Sequence, residues 1–327
     1  MQQLRNVHRR LILALVIAAV WSASAAADPA GDQFRIQAPD TIIDQAGRRI
    51  VVRQPFKRVI SLYGAHTENL FSLGLVNEII GVSPHDDYPP PVRRKPVFSY
   101  HDDPEKFLAS RPDLILIRPM IDRGYPQFVA LLEKSGITIV SLQPADVDKM
   151  FTYWSILGIL TGRQEQAQRL ISHFKASVGE FRSLTDDLVN KKRVYFEAVH
   201  SKMKTFTPDS MAIFALESAG GINIAADASP VRNTNIARYG KERILSHAAE
   251  IDAYLAQYGA MNRPTVSLIK NEPGFNLIKA VAQGHIYIVD EKIVARPTMR
   301  LLEGIYRIGT YLYPEHFGDK ALLIFKK

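Results

Sequence analysis

Four histidines and three tyrosines stand at or near the ends of short apolar runs, where they could bind a metal complex. The histidines are His66, His85, His101 and His200, and the tyrosines are Tyr63, Tyr88 and Tyr100. Neutral imidazole is a good ligand for transition metals, and a phenol adds an oxygen and a flat face for stacking. We expect His200 to be the first metal ligand and His66 the second, because they follow apolar runs in opposite halves of the chain. A complex held between those halves could be reached from both sides.

Five cationic side chains form a second candidate set for ligand binding. They are Arg118, Lys202, Arg238, Arg296 and Arg300. The guanidinium group offers a rigid fork of donors that suits carboxylates or the anionic oxygens of a ferric chelate. The arginines favour an anionic ferric chelate, whereas the histidines and tyrosines favour a tetrapyrrole with an axial ligand. Both ligand classes stay open, and we rank the ferric chelate first.

These side chains fall in loops of a predicted pattern in which short apolar runs alternate with amphipathic stretches. That pattern indicates two α/β units, and ligands of such units bind at the carboxyl ends of the parallel strands. A hairpin is predicted within residues 42–52. Further strands are predicted at residues 58–62, 79–82, 114–117, 138–142, 193–199, 251–255 and 285–290, and helices at 210–219 and 301–312.

No strand pattern occurs between Val147 and Val189, and from Gln164 onward apolar residues recur at helical spacing. A helix of about 27 residues there would be ~40 Å long, enough to join two lobes. We therefore predict an α/β fold of two lobes with mostly parallel sheets, joined by a long interlobe helix that resists hinging. The predicted segments are 1–27 for a signal peptide, 28–145 for the first lobe, 146–190 for the helical link and 191–327 for the second lobe.

The first 27 residues have the composition of a cleavable signal for export. Arg5, Arg9 and Arg10 precede an apolar stretch of about ten residues, which is too short to span a bilayer, and Ala25–Ala27 offer a cleavage site. General secretory and twin-arginine export both fit. The sequence contains no cysteine, so we expect no lipid anchor and a protein that diffuses in a Gram-negative periplasm.

The charge pattern argues against a nucleic-acid partner. The formal net charge is +8, three units of which come from the signal arginines, and acids and bases are mixed along the chain. Nucleic-acid binding favours Lys and Arg clustered on one face. A modest positive surplus instead suits an anionic ligand.

Several short segments, in the right order, resemble the periplasmic binding proteins for iron-siderophore, haem and cobalamin. The segments are TIIDQAGRRI from Thr41, KRVISL from Lys57, TENLFSLG from Thr67, SRPDLIL from Ser110, AGGIN from Ala219 and RPTMR from Arg296. The resemblance covers nearly the whole chain after the signal. Residues 200–211 and 251–262 depart from it, and these are stretches where ligand identity would be decided.

The resemblance implies a monomeric, non-enzymatic subunit that delivers its ligand to the permease and ATPase of an ABC importer. It also implies that Glu105 and Glu242 match one acidic residue per lobe that docks on arginines of the permease. No intrinsic cofactor is expected, and the bound ligand is a ferric siderophore, haem or a corrinoid.

A different class of function also fits two α/β lobes with histidines between them. A periplasmic chelatase that inserts metal into a tetrapyrrole would need an acid and a base close to the pyrrole nitrogens. The sequence holds no local Glu/His pair that commits it to this chemistry, so the enzyme is the alternative.

Overall fold

The computed structural model describes residues 34–232 and 234–326, so the predicted signal segment 1–27 lies outside it. The described chain opens with a small antiparallel sheet of three strands. They are β1 (Arg35–Ala38), β2 (Thr41–Ile43) and β3 (Arg49–Val51). The predicted hairpin is confirmed as β2 and β3. Its turn is closed by Asp44, whose carboxylate accepts hydrogen bonds from the backbone N–H groups of Ala46 and Arg48.

The first lobe is built on a parallel sheet of four strands, as predicted. In chain order they are β4 (Val59–Ser61), β5 (Ile79–Gly81), β6 (Leu114–Ile117) and β7 (Thr138–Ser141), and their spatial order is β5-β4-β6-β7. The helices of this lobe are α1 (Gly64–Ser72), α2 (Pro104–Ser110), α3 (Pro119–Gly124) and α4 (Pro126–Lys134). Three of these four begin at a proline, whose fixed φ suits the first helical position.

Two antiparallel helices follow, α5 (Val147–Thr161) and α6 (Gln164–Ser183), separated by Gly162 at a φ of +66°. The 20 residues of α6 correspond to about 30 Å. The predicted helix of about 27 residues was therefore too long. The helix ends at Ser183; beyond it, Thr185 packs against Gly220 and Leu188 packs against the core.

The second lobe contains a sheet of seven strands. They are β8 (Arg193–Val199), β9 (Lys204–Phe206), β10 (Ile222–Asn223), β11 (Ser229–Pro230), β12 (Ile236–Arg238), β13 (Ala253–Tyr258) and β14 (Ile286–Asp290). The parallel strands β8, β13 and β14 confirm the prediction. The antiparallel strands β9, β11 and β12 extend one side of the sheet. They were missed because two or three residues are too few to display an alternating pattern.

The helices of the second lobe are α7 (Met211–Ser218), α8 (Lys241–Ser246), α9 (Val266–Lys270), α10 (Lys279–Ala282), α11 (Glu291–Val294), α12 (Leu301–Leu312) and α13 (Asp319–Lys326). Helices α7 and α12 confirm the two helices predicted in this half. Ser210 caps α7, since its hydroxyl accepts a hydrogen bond from the N–H of Ile213. Among the described residues, none of the helices combines the length and the hydrophobicity that spanning a membrane requires.

Each central strand divides its side chains between two cores, because successive residues of a strand point to opposite faces. In β6, Leu116 faces a core that both lobes share, whereas Ile115 faces a core of the first lobe alone. In β8, Phe196 faces the shared core and Tyr195 faces a core of the second lobe. Helices α5 and α6 supply the shared core with Trp154, Phe174 and Phe181, among other residues. The two sheets are thus joined by continuous apolar packing.

The segment just before α12 clamps the two lobes together. The carbonyl oxygen of Pro297 accepts hydrogen bonds from Asn69 Nδ2 at 2.9 Å and from Trp154 Nε1 at 3.2 Å. Arg296 donates to Glu68 at 2.8 Å, and only 3% of the Glu68 side chain is exposed. Burial raises the pKa of the Glu68 carboxyl, and the charge of Arg296 opposes that rise. A Cβ on residue 64 would lie 2.5 Å from the Arg296 Nη1 atom, so Gly64 leaves the room that the guanidinium needs.

We predict that Arg296→Met lowers the free energy of unfolding by about 3 kcal/mol, because it leaves the buried Glu68 carboxyl without its partner. The double variant Arg296→Met/Glu68→Leu should recover much of that loss, since no polar group is then left unpaired. Urea unfolding of wild type, both single variants and the double variant measures the cycle. A double variant as unstable as the sum of the two singles would contradict this account of the clamp.

Candidate functional site

The loops that follow the parallel strands of the two lobes face each other. Lys292, two residues after β14, forms an ion pair of 2.5 Å with Asp87, which lies after β5. Arg296 reaches α1, the helix that follows β4. The carboxyl ends of both sheets therefore border one interlobe cleft, which is the position expected for a ligand of an α/β fold.

An aromatic cluster lies in the segments that follow β5 and α3 of the first lobe. The ring of Tyr100 lies 4.3 Å from that of His101 and 4.8 Å from that of Tyr125, measured between ring centres. The Tyr125 hydroxyl is 3.3 Å from His101 Nδ1. Sequence reasoning did not single out Tyr125. The available clue was the Tyr-Pro pair at the start of α4, which places the ring at a helix end.

Arg118 is held in the cleft by contacts with an aromatic ring and a thioether, not by an ion pair. Its guanidinium carbon lies 4.5 Å from the centre of the Tyr63 ring, and its Nη2 is 3.1 Å from the sulfur of Met120. Its Nε is buried without a hydrogen-bond partner, and Arg118 forms no ion pair with any described residue. Its positive charge is not neutralised by a carboxylate, so it can attract an anionic group of a ligand.

The second lobe reaches the same region through Glu291, the first residue after β14. Its carboxylate accepts a hydrogen bond of 3.1 Å from the N–H of Ala260, in the loop that follows β13. Burial raises the pKa of Tyr63, and Glu291 acts in the same direction from across the cleft. Tyr258, the last residue of β13, is 48% exposed, and Met261, in the loop that follows, is 61% exposed. Sequence reasoning did not identify Glu291, because only the folded chain brings it close to Tyr63.

The structure places His66 in the core rather than in the cleft. Its Nδ1 lies 2.6 Å from the hydroxyl of Tyr153, and its Nε2 lies 3.0 Å from the carbonyl oxygen of Ile117. Burial lowers the pKa of His66 to about 3, so the ring is neutral. Both ring nitrogens are engaged, and the structure does not support the prediction that His66 is a metal ligand.

His200 also differs from the prediction, because it belongs to a buried polar network at the carboxyl end of β8. Its Nδ1 lies 2.7 Å from Glu197, a fully buried residue that also accepts hydrogen bonds from Tyr254 at 2.5 Å and Asn262 at 3.0 Å. The Nε2 atom of His200 is buried and lies 3.6 Å from the carboxylate of Glu272.

The carboxylates beside His200 favour the charged form of its ring. The hydrogen bond to Glu197 raises the pKa of His200, and the charges of Glu197 and Glu272 add to the rise against the effect of burial. A protonated imidazole has two donors and no lone pair for a metal. The His200 ring thus lies between two carboxylates, Glu197 at 2.7 Å and Glu272 at 3.6 Å.

The other predicted ligand residues fall into two groups. Arg296 and Arg300 are withdrawn from the cleft by ion pairs, with Glu68 and with Glu303, and Arg300 also lies over the ring of Tyr88. Four residues remain exposed: His85, Tyr88, Lys202 and Arg238. Arg238 lies beside Lys204 in the sheet, level with the carboxyl end of β8. Among the described residues, no group of three His, Asp or Glu side chains could hold a metal ion.

The two predicted docking residues are both exposed on the surface. Glu105 lies in the first turn of α2 and Glu242 in the first turn of α8. A carboxylate in a first helical turn is favoured by the helix dipole, so each position stabilises its helix as well as presenting a negative charge.

A separate groove of about 490 Å³ lies against α6. Phe151, Phe174 and Phe214 line it, and Lys175 and Arg182 lie over two of these rings. The groove is formed mainly by residues of α5, α6 and α7, and the loops before α5 and α7 add Asp146, Pro208 and Asp209. We therefore place the candidate site in the interlobe cleft.

Comparison with known proteins gives matches along most of the chain. A family model described as periplasmic binding protein matches residues 59–293. A Bacillus subtilis protein described as an uncharacterized ABC transporter substrate-binding lipoprotein, YvrC, is 24% identical over 286 residues, which are 86% of this chain and 88% of that protein. The vitamin B12-binding protein of Vibrio cholerae serotype O1 is 25% identical over 262 residues, covering 79% of this chain and 90% of its own.

The fold matches solved structures as well. The crystal structure of a possible iron-binding (periplasmic solute-binding) protein from Staphylococcus epidermidis has a TM-score of 0.70 with this chain at 28% identity. The match covers 80% of this chain and 100% of that one. The two-lobed α/β architecture is thus shared with proteins of this kind.

We predict that His200→Gln destabilises the protein more at about pH 6 than at about pH 9. The raised pKa means that the charged ring stabilises the fold below its unfolded-state pKa, and this contribution is lost as pH rises through the folded-state pKa. Urea unfolding at both pH values measures the difference, with the exposed His101→Gln as control. An equal loss at both pH values would show that the ring is not charged in the folded protein.

Proposed function

We propose, since the chain belongs to the periplasmic binding protein family, that it is the solute-binding subunit of an ABC importer and carries a metal chelate. The family match over residues 59–293 supports the binding role. The cleft between the carboxyl ends of the two sheets is the site that we assign to the ligand. The metal arrives within the ligand, so the protein needs no cofactor of its own.

The composition of the cleft carries our ranking of the ligand. Arg118 lies on Tyr63 with no carboxylate partner among the described residues, and Tyr258 and Met261 are exposed on the other lobe. Arg296 and Arg300, which favoured a ferric chelate, are engaged in ion pairs. A cation held on an aromatic face and beside a thioether suits a large ligand with an apolar face and little negative charge.

A corrinoid fits this description best, and we rank it ahead of haem and ferric siderophore. The Vibrio cholerae relative, named as a vitamin B12-binding protein, supports the same choice. The aromatic cluster of Tyr100, His101 and Tyr125 would contact the ligand by stacking.

We infer binding without catalysis, although the folded chain does contain a Glu/His pair that the sequence did not indicate. Glu197 and His200 are 2.7 Å apart, but Glu197 has no exposed surface. An acid and a base of a chelatase must reach the pyrrole nitrogens of the substrate. Incubation with metal-free porphyrin and Co²⁺ tests this: we expect no metalloporphyrin, and its formation at a catalytic rate would favour the chelatase.

We propose the permease and ATPase subunits of an inner-membrane importer as partners, and we expect a monomer that binds no nucleic acid. Export through the signal-like residues 1–27 would place the protein in a Gram-negative periplasm. Docking through Glu105 and Glu242 would orient it on the permease, since charges at two separate points fix an orientation.

We predict that cyanocobalamin binds more tightly than haemin or a ferric hydroxamate, and that Arg118→Met weakens cyanocobalamin binding about tenfold. The loss follows from removing the Arg118 cation, which has no acidic partner among the described residues and is therefore available to the ligand. Titration calorimetry measures the affinities, and Arg123→Met, in the exposed end of the neighbouring α3, is the matched control. An absorbance spectrum of protein purified from its native periplasm identifies the ligand class independently. Tightest binding of the ferric hydroxamate would reverse our ranking.

We predict that Glu105→Arg and Glu242→Arg each abolish most transport and leave ligand affinity within about twofold of wild type. Both carboxylates are exposed at helix starts, so the substitutions change the surface charge without disturbing a core. Uptake into vesicles that contain the importer measures transport, and calorimetry measures affinity. Lost ligand affinity in either variant would show that the residue lies in the ligand site and not on the docking surface.

A further inference from the structure

The polar network around His200 continues to the helix that presents Glu242. Glu272 lies 3.6 Å from His200 Nε2 through one carboxylate oxygen and 2.6 Å from Lys241 Nζ through the other. Lys241 is the first residue of α8 and precedes Glu242. Glu197, His200, Glu272 and Lys241 thus alternate in charge, and we call these four residues the ion row.

A backbone connection runs beside the ion row. The N–H of Gly240 donates to the carbonyl oxygen of Met203 at 3.0 Å, and the N–H of Met203 donates to that of His200 at 2.9 Å. Gly240 has a φ of +92°, a conformation that favours glycine. A Cβ on Gly240 would lie 3.5 Å from Glu242 Oε2, so the docking carboxylate sits directly over this connection.

The ion row is largely shielded from water by Phe275. This fully buried ring lies 6.3 Å from the His200 ring, 5.8 Å from the Tyr254 ring and 5.9 Å from Lys241 Nζ. Charges act more strongly on each other in a place that water does not fill. Glu272 and Lys241 are partly exposed, so their share is closer to that of a surface ion pair.

The two docking helices are held in different ways. Helix α2 is fixed locally, because Asp103 accepts a hydrogen bond of 2.9 Å from the N–H of Glu105 and Lys106 pairs with Asp102 at 2.6 Å. Helix α8 has no side-chain cap among the described residues. Its first turn is held instead by two contacts that connect to His200 at the carboxyl end of β8. Gly240 is hydrogen-bonded to Met203, and Lys241 is paired with Glu272.

We propose that Lys241 and Glu272 are positioning residues: they hold the first turn of α8 against His200, and so set the position at which Glu242 meets an arginine-bearing surface of the permease. The proposal rests on the proposed docking function of Glu242. It makes the second lobe's docking point dependent on a residue at the cleft, whereas Glu105 in the first lobe has no such link.

The groups that face His200 make this dependence sensitive to its protonation. They are Glu197 on β8, Tyr254 on β13, and Asn262, Glu272 and Phe275 in the loops, with Lys241 of α8 behind Glu272. A neutral ring loses its attraction to Glu272. The link from His200 to α8 is therefore strongest when the ring is charged.

Hydrogen exchange of the full-length protein tests the positioning without any partner. We expect Glu272→Gln and Lys241→Met to speed exchange of amides in residues 241–250 about tenfold, and to leave α2 unchanged. Glu165→Gln is the matched control, because it removes an equal charge and breaks an exposed pair with Arg169 in α6, outside residues 241–250. Unchanged exchange in residues 241–250 of both variants would overturn the proposal.

Docking on importer-containing membrane vesicles tests the consequence. We expect Glu272→Gln to weaken docking about fivefold and to keep the affinity for cyanocobalamin. We also expect docking of the wild type to weaken between about pH 6 and about pH 9, and docking of Glu272→Gln to be independent of pH in this range. If Glu242→Arg does not weaken docking, the proposed docking function fails. If Glu242→Arg weakens docking but Glu272→Gln docks with the affinity and the pH dependence of the wild type, only the positioning role fails.

Discussion

The shared hydrophobic core is the constraint on which the rest of the molecule depends. Strand geometry sends alternate residues of β6 and β8 to opposite faces, and one face of each sheet packs on the same helices, α5 and α6. Removing one large aromatic side chain such as Phe174 from such a core costs about 3–5 kcal/mol. A wide hinge motion between the lobes would break many of these contacts at once, so the cleft is largely preformed.

The ion pair between Glu68 and Arg296 limits which arginines are free to bind a ligand. Glu68 is buried at the junction of the lobes, and a buried carboxylate needs a partner. Arg296 is that partner, and it also fills the space that Gly64 leaves. A guanidinium in this position cannot be released to a ligand without leaving a buried acid unpaired. Arg118 avoids this conflict, because its contacts are an aromatic face and a thioether.

Restrained lobes limit the ways in which a ligand in the cleft can affect the docking surface. In a protein with wide closure, the outer surface itself is rearranged on binding. In this chain the shared core restrains the lobes, so any effect of a ligand on the docking surface would act through local contacts. The ion row is a set of local contacts that joins the carboxyl end of β8 to the first turn of α8.

Much of the fold follows from the sequence, because the apolar runs of β4, β6, β8 and β14 and the stripe of α6 are local patterns. The strands β9 to β12 were missed, since each is too short to carry a pattern and exists only through pairing with its neighbours. The length of α6 was overestimated because Leu188 continues the apolar spacing beyond the helix end.

The sequence by itself determined the architecture, the position of the cleft at the strand ends and the residue types beside it. Only the tertiary structure decided which of those residues face the cleft. His66 is turned toward Tyr153 on α5, His200 toward Glu197, and Arg296 toward Glu68. The physical reason is that a buried polar group is directed by its partner. Tyr153 and Glu68 lie 87 and 228 positions from theirs along the chain, beyond the range of any local pattern.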